Sequence, residues 1–420
     1  MAKRIVIIGG GFAGTAVAAR LERRLRRDDD VEIVLFDREN FSVFTPLLPE
    51  VPSGAVEPKH IVSPLRARLR RTMVKQAEVR TVDVERRVVT AGHCARCAEY
   101  VMAYDYLVLA LGSVTNFFGL PGVAERARTI KSLGDGAALH DAVIGKFEHA
   151  DLEAEADGRR RLLTFVVAGG GFAGVETAAE LNDFVGAAGR FYPGIAPQDV
   201  RIILVHSGDR ILPEVGPSLS SYALRKLRER GVEVRLGTRI AGCDDGGVHL
   251  SNGETLPSDT LVWTAGVSPN PLLADLGLPR AANGRLQVDA TLAVVGRPDI
   301  FALGDCAAVV DPDTGQPYPP TAQYAIREGT VAADNVAAAL RGETLRVFRY
   351  RPLGMLASLG RRTAVAEVLG LRFSGFFAWW LWRTIYLLKL PGAERKVRVM
   401  IDWTLDLVFP RDIVYLRGMQ

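Results

Sequence analysis

The amino-acid sequence predicts an α/β fold, and three observations carry that expectation. An apolar run, IVII from Ile5, leads into GGGFAG at residues 9–14 and then into the helically spaced TAVAARLERRL. The same six letters return at residues 169–174, after FVVA from Phe165 and before VETAAELNDF. Each copy therefore reads as strand, tight turn and helix, the opening of a parallel crossover unit.

The glycines in that turn have separate physical reasons. In G-x-G-x-x-G the first, Gly9 or Gly169, permits the tight turn; the second, Gly11 or Gly171, lets a pyrophosphate approach bare backbone; the third, Gly14 or Gly174, lets helix pack closely on strand. The helix N-terminus then offers N–H groups and a positive dipole end to phosphate. One copy is a weak sign, because structural glycine turns also produce it. Two identical copies in the same context predict two Rossmann-like dinucleotide-binding domains, and two dinucleotides in one chain suggest electron transfer between them. Residues 1–118 with 281–345 read as the first domain, 119–280 as the second, and 346–420 as a C-terminal membrane-associating segment.

A length of 420 residues allows two or three domains, each with its own core. Hydrophobic residues at 48% and charged residues at 24% are globular values, and a net charge of +4 gives no support to a nucleic-acid partner. Four cysteines do not make a disulfide framework, and the first strand starts at Arg4 without room for a signal peptide. A reducing, cytoplasmic compartment is the expectation. No run of about 18 apolar residues appears, so no transmembrane helix is expected.

Individual positions refine the reading. The strand VEIVLFD ends in Asp37, where an acid accepts the ribose hydroxyls of the adenosine half, an Asp that merely starts a turn being the bland alternative. The corresponding strand of the second unit ends in His206, followed by Ser207 and Arg210. A carboxylate there would favour NADH and repel the extra phosphate of NADPH, so NADH with NADPH tolerated is the expectation. DIFALGD ends in Asp305, placed to hydrogen-bond a flavin ribityl chain or a phosphate-bridging water, and Cys306 beside it reads as a small buried residue. Ala265 and Gly266 mark another close backbone passage. HCARC, with His93, Cys94 and Cys97, lacks the second C-x-x-C of a zinc site and falls in a hairpin tip rather than at a helix start, so it reads as a structural or accidental pair. No metal is expected.

Beyond Arg346 the composition changes. A strand and hairpin lead into FSGFFAWWLWRTIYLLKL, which holds three of the five tryptophans, Trp379, Trp380 and Trp382. A buried core helix is one explanation. The crowding of aromatic rings, the interruptions at Arg383 and Lys389 and the basic ERKVR that follows favour a helix lying in the headgroup layer of an anionic membrane surface without spanning it.

With these motifs in order, the chain resembles the type II NADH dehydrogenases, non-pumping NADH:quinone oxidoreductases of the two-dinucleotide flavoprotein class, from Arg4 to about Tyr415. The marks are the paired GGGFAG turns, DRENFSVFTPLLPEV, GVETAAEL, TLVWTAGV, FALGDCA, PPTAQYAIREG, and PLGMLASLGRRTAVAE followed by FSGFFAWWLW. The resemblance implies FAD in the first unit, held by Gly9, Gly11, Phe12, Ala13, Gly14, Asp37, Arg38, the Val79 backbone, Gly112 and Asp305, with Ala322 and Gln323 near the isoalloxazine. It implies the nicotinamide cofactor in the second, through Gly169, Gly171, Gly174, His206, Ala265 and Gly266. Glu176 matches a family acid near nicotinamide and flavin, a solubilising charge being the alternative.

On the quinone side the family pattern is Ala-Gln, one residue, Ala, one residue, Gln. Gln323 and Ala325 match, but Arg327 occupies the second Gln position, and a charged donor without acceptor capacity is expected to alter the pocket or its preferred acceptor. The activity implied is hydride transfer from NADH to flavin, then two electrons and two protons to a quinone. Gln323 and Arg327 would orient the quinone carbonyl, and Glu176 or water would relay protons. The implied setting is the inner face of the cell membrane, with the protein peripheral; a homodimer is the expectation only because symmetric dimers are common. Rival readings are a soluble-type reductase of disulfides or ferredoxin and a flavin-bearing NADH sensor. The first needs a reactive cysteine near the flavin, and none precedes Cys94; a ferredoxin reductase should lack the aromatic tail.

Overall fold

The computed structural model describes residues 3–26, 30–93 and 99–416, so Cys94 and Cys97 lie outside the described residues. The chain divides into two compact units: residues 1–42, 63–114 and 267–352 form the first, and residues 43–62, 115–266 and 353–420 the second.

In the first unit a six-stranded sheet runs in the order Ala293–Val294, Arg297–Ala302, Tyr106–Leu109, Lys3–Ile8, Val31–Asp37, Met73–Gln76. Every neighbouring pair is parallel except the edge hairpin at residues 293–302. Ile5, Val6 and Ile7 are fully buried, as a strand covered on both faces requires, which is why the sequence there is a continuous apolar run rather than an alternation. The helix Phe12–Arg24 packs on the helix Ala322–Leu340. A Cβ on Gly329 would lie 2.6 Å from the Ala13 carbonyl oxygen, so glycine there sets how closely the two helices approach. A three-stranded antiparallel sheet, Glu78–Asp83, Val88–Gly92 and Tyr100–Ala103, completes the expected hairpin region.

The second unit repeats the plan with a five-stranded parallel sheet, Arg128–Thr129, Thr260–Trp263, Thr164–Ala168, Arg201–Val205, Glu233–Arg235. The helix Phe172–Ala188 follows the glycine turn. Residues 353–420 belong to this unit and add the antiparallel meander Gly354–Ser358, Ala364–Val368, Leu371–Gly375 and the helices Phe376–Lys389 and Ala393–Val408.

The aromatic helix has a buried face and an exposed face. Ala378, Trp379 and Trp382 are buried, together with Val399 and Trp403 of the following helix, whereas Phe376, Phe377, Trp380 and Leu388 are exposed. Arg383 does not extend to the surface as an interrupting charge would. Its guanidinium lies 4.3 Å from the centre of the Trp379 ring and 4.7 Å from that of Trp403, a cation held between two indoles. No helix among the described residues is long and apolar enough to cross a membrane.

Candidate functional site

The first cradle follows from backbone geometry. Gly9 has φ +106° and a Cβ there would lie 2.2 Å from the Ala110 carbonyl oxygen; a Cβ on Gly14 would lie 1.8 Å from the Gly9 oxygen. Gly11, at the start of the helix, would meet nothing within 4 Å. The two outer glycines are packed and the middle one faces open space, which is the arrangement a pyrophosphate needs for access to helix-terminal N–H groups. Asp37 takes the Gly10 N–H at 2.5 Å and the Glu39 N–H at 2.7 Å, while burial pushes its carboxyl up against the pull of those donors. Phe12 and Ala13 open the helix, Arg38 is exposed, and Val79 lies in the strand Glu78–Asp83. Gly112 has φ +65°. Ser113 Oγ donates to Asp305 at 2.7 Å, fixing the acid in the short turn Gly304–Cys306 that follows the strand Arg297–Ala302, rather than at the strand's end as the sequence suggests. Ala322 and Gln323 start the helix Ala322–Leu340, and Arg327 is exposed one turn later.

The second cradle repeats the first. Gly169 has φ +115°, a Cβ on Gly174 would lie 1.8 Å from the Gly169 oxygen, and one on Gly171 would meet only Glu214 Oε1 at 3.9 Å. A Cβ on Gly266 would come within 2.5 Å of the Phe118 ring and 3.2 Å of the Asn116 carbonyl oxygen, and the Gly266 carbonyl accepts the Asn116 N–H at 3.1 Å, so the backbone passes closely there. His206 stands in the place of Asp37: the Gly170 N–H donates to its Nδ1 at 3.1 Å. That bond makes Nδ1 an acceptor and leaves the proton on Nε2. Both cradles fit a dinucleotide phosphate by shape and by donor set.

Within the second unit Glu176 belongs to a buried acid cluster. It is 7% exposed, on the helix Phe172–Ala188, and Oε1 accepts the Ser358 N–H at 2.9 Å. Glu180, one turn on, accepts from Ser53 Oγ at 3.0 Å and faces Arg411 at 3.3 Å; Glu50 accepts the Trp403 indole N–H at 2.7 Å. Burial pushes Glu50 and Glu176 up to about 8, neighbouring carboxylates adding to the shift, and Glu180 moves in the same direction. Glu50 and Glu176 hold protons at neutral pH.

A carboxyl raised in the folded state contributes stability that is complete below its unfolded value, near 4.5, and is lost as pH climbs toward 8. The melting temperature of wild type should therefore fall over that window. Glu50→Gln, which keeps an acceptor for Trp403, should melt higher relative to wild type as pH rises. A difference that does not change with pH would contradict this.

Sequence reading found Glu176 but not Glu50, Glu180 or Glu328. Glu328 is buried, takes the Gly304 N–H at 2.6 Å beside Asp305, and is pushed up to about 7 by burial. The available signal was two acids one helical turn apart in VETAAEL, where every flanking residue suits a buried face.

Comparison with known proteins agrees with this geometry. Residues 3–329 match the family model described as pyridine nucleotide-disulphide oxidoreductase, and residues 353–412 match the one described as NDH2 C-terminal domain. The chain is 32% identical to a type II NADH:quinone oxidoreductase of Mycobacterium tuberculosis, over 97% of this chain and 89% of that one. It is also 32% identical to a demethylphylloquinone reductase of Synechocystis, over 95% of each. Among solved structures, NDH2 of Plasmodium falciparum in complex with NADH superposes with a TM-score of 0.90 at 20% identity, covering 99% of this chain and 100% of that one, a likeness of fold. The chain belongs to the type II NADH:quinone oxidoreductases, within the pyridine nucleotide-disulphide oxidoreductase family.

Proposed function

We propose that the protein oxidises NADH and passes two electrons through FAD to a quinone, without pumping protons. The observation that carries this reading is the pair of matched cradles, each with its middle glycine open to a phosphate. The Mycobacterium and Synechocystis relatives, whose names specify quinone chemistry, support the acceptor class.

FAD, when bound, supplies a two-electron carrier, and the protein supplies binding, orientation and protons. Residues 9–14 hold the FAD pyrophosphate on helix-terminal N–H groups, with Asp37 on the ribose and Asp305 on the ribityl side. Residues 169–174 hold the NADH pyrophosphate, with His206 at its adenosine end and NADPH tolerated. Glu176 keeps a proton at its carboxyl through neutral pH, and Gln323, with Arg327 beside it, orients the quinone carbonyl. The test is steady-state NADH oxidation by flavin-loaded protein with and without a water-soluble quinone. Turnover that depends on quinone supports the reading, and a rate indifferent to quinone contradicts it.

The exposed apolar residues of the two C-terminal helices, Phe376, Phe377, Trp380, Ile401 and Leu405 among them, form the surface proposed to lie on an anionic membrane, at the inner face of the cell membrane. Truncating the chain here would also remove Trp403 and Arg411 from Glu50 and Glu180, so surface substitutions make the cleaner test. Phe377→Ser with Trp380→Ser and Leu405→Ser should abolish sedimentation with anionic vesicles while leaving FAD bound. Unchanged sedimentation would contradict the assignment. A homodimer is the assembly proposed, and light scattering reads it.

A further inference from the structure

The two cradles differ at their open ends. A Cβ on Gly11 would meet nothing within 4 Å, whereas one on Gly171 would lie 3.9 Å from Glu214 Oε1. Among the described residues a carboxylate therefore borders the middle glycine of the second cradle, and none borders that of the first. The backbone puts it there. The Leu212 N–H donates to the Gly170 carbonyl at 2.7 Å, and the Val215 N–H closes a turn on the Leu212 carbonyl at 3.1 Å, with Glu214 inside that turn. Buried Ile211, Leu212 and Val215 root the turn, and Ser220 Oγ donates to the Ile211 carbonyl at 2.6 Å. Leu212 has φ +48°, a left-handed conformation that a bulky side chain adopts only where its surroundings hold it. Glu214 itself is exposed, and its carboxylate has no hydrogen bond or ion pair among the described residues. The neighbouring cation does not neutralise it, because Arg210 Nη2 donates to the Pro213 carbonyl at 2.8 Å instead.

An anion fixed next to a phosphate seat weakens the binding of every phosphate ester that enters it, by an amount that salt screens. The helix-terminal N–H groups of the cradle attract the pyrophosphate, and a carboxylate at the rim offsets part of that attraction. This difference matches the tasks of the two dinucleotides. FAD stays through every cycle, whereas NADH must enter and its oxidised form must leave. We propose, resting on the reading of the second cradle given above, that Glu214 sets the affinity of the nicotinamide cradle: its carboxylate repels the pyrophosphate and keeps the dinucleotide exchangeable. The pyrophosphate is common to the oxidised and reduced cofactor, so Glu214 loosens both alike. The first cradle, without such an acid at its middle glycine, keeps its dinucleotide.

The experiment uses full-length, flavin-loaded protein and ADP-ribose, which carries the pyrophosphate of NADH but cannot reduce flavin, with adenosine as the phosphate-free control. Glu214→Gln keeps the length of the side chain and removes its charge. It should tighten ADP-ribose binding about five- to tenfold at low salt, the range for a charge pair screened between protein surface and bulk water. That advantage should fall below about twofold at about 0.5 M salt. Glu214→Asp, which keeps the charge, should stay within about threefold of wild type, and adenosine should bind all three proteins equally. The assignment is overturned if Glu214→Gln binds ADP-ribose as wild type does or more weakly, if it tightens adenosine as much, or if its advantage is the same at both salt concentrations. Glu214→Asp binding as tightly as Glu214→Gln would overturn it as well, since shape rather than charge would then be responsible. If wild type binds no ADP-ribose and NADH does not bleach its flavin, the reading of the second cradle itself fails. If wild type binds ADP-ribose and Glu214→Gln matches it, only the Glu214 assignment fails.

Discussion

Gly171→Asp is expected to leave the fold and FAD binding in place and to weaken NADH binding by at least about a hundredfold. Gly171 caps the helix Phe172–Ala188 with φ −77° and ψ −172°, extended backbone that any residue adopts, and a Cβ there has only Glu214 Oε1 within 4 Å. Aspartate is moreover a good N-cap, so the helix keeps its start. Its carboxylate, however, would stand where the pyrophosphate approaches, compete for the same N–H groups and repel the charge. Losing two charge-assisted hydrogen bonds at about 1.5–3 kcal/mol each is sufficient for the stated factor. Gly174 would be a poor choice for this test, because a Cβ at 1.8 Å from the Gly169 oxygen breaks the packing of strand and helix outright. NADH titration beside a melting curve makes the check: unchanged affinity in a folded, flavin-bearing variant would contradict the assignment of the second cradle.

His206→Asp should shift the ratio of kcat/KM for NADH over NADPH by about a hundredfold toward NADH. The Gly170 N–H holds Nδ1 as an acceptor, so the wild-type ring offers Nε2–H where the first unit offers an aspartate. A donor tolerates a 2′-phosphate. A carboxylate about 4 Å from that phosphate would cost roughly 4 kcal/mol at an effective dielectric near 20, and solvent exposure reduces this to the two or three that a hundredfold ratio requires. Wild type should discriminate by no more than about tenfold. A wild-type preference of several orders of magnitude, or a ratio that His206→Asp leaves untouched, would show that the ring does not face the adenosine end.

The features legible in the sequence are those whose cause is local. The roles of the paired glycines follow from φ and close approach within six residues, and the acid or histidine ending the second strand of each unit follows from its register beside the turn. What was not legible depends on distant parts of the chain meeting. Glu50 and Trp403 are brought together across most of the second unit, and nothing near Glu50 in TPLLPEV marks it as buried. Arg383 looked like a surface interruption because its two indole neighbours, Trp379 and Trp403, lie on different helices.

The central claim is that one chain binds FAD and NADH and delivers electrons to quinone, and single-turnover mixing without oxygen tests it most directly. Flavin-loaded protein mixed with one equivalent of NADH should lose its flavin absorbance, and a second mixing with quinone should restore it faster than mixing with buffer alone. Protein that stays colourless when offered FAD, or a bleached flavin that quinone does not restore, would contradict the account.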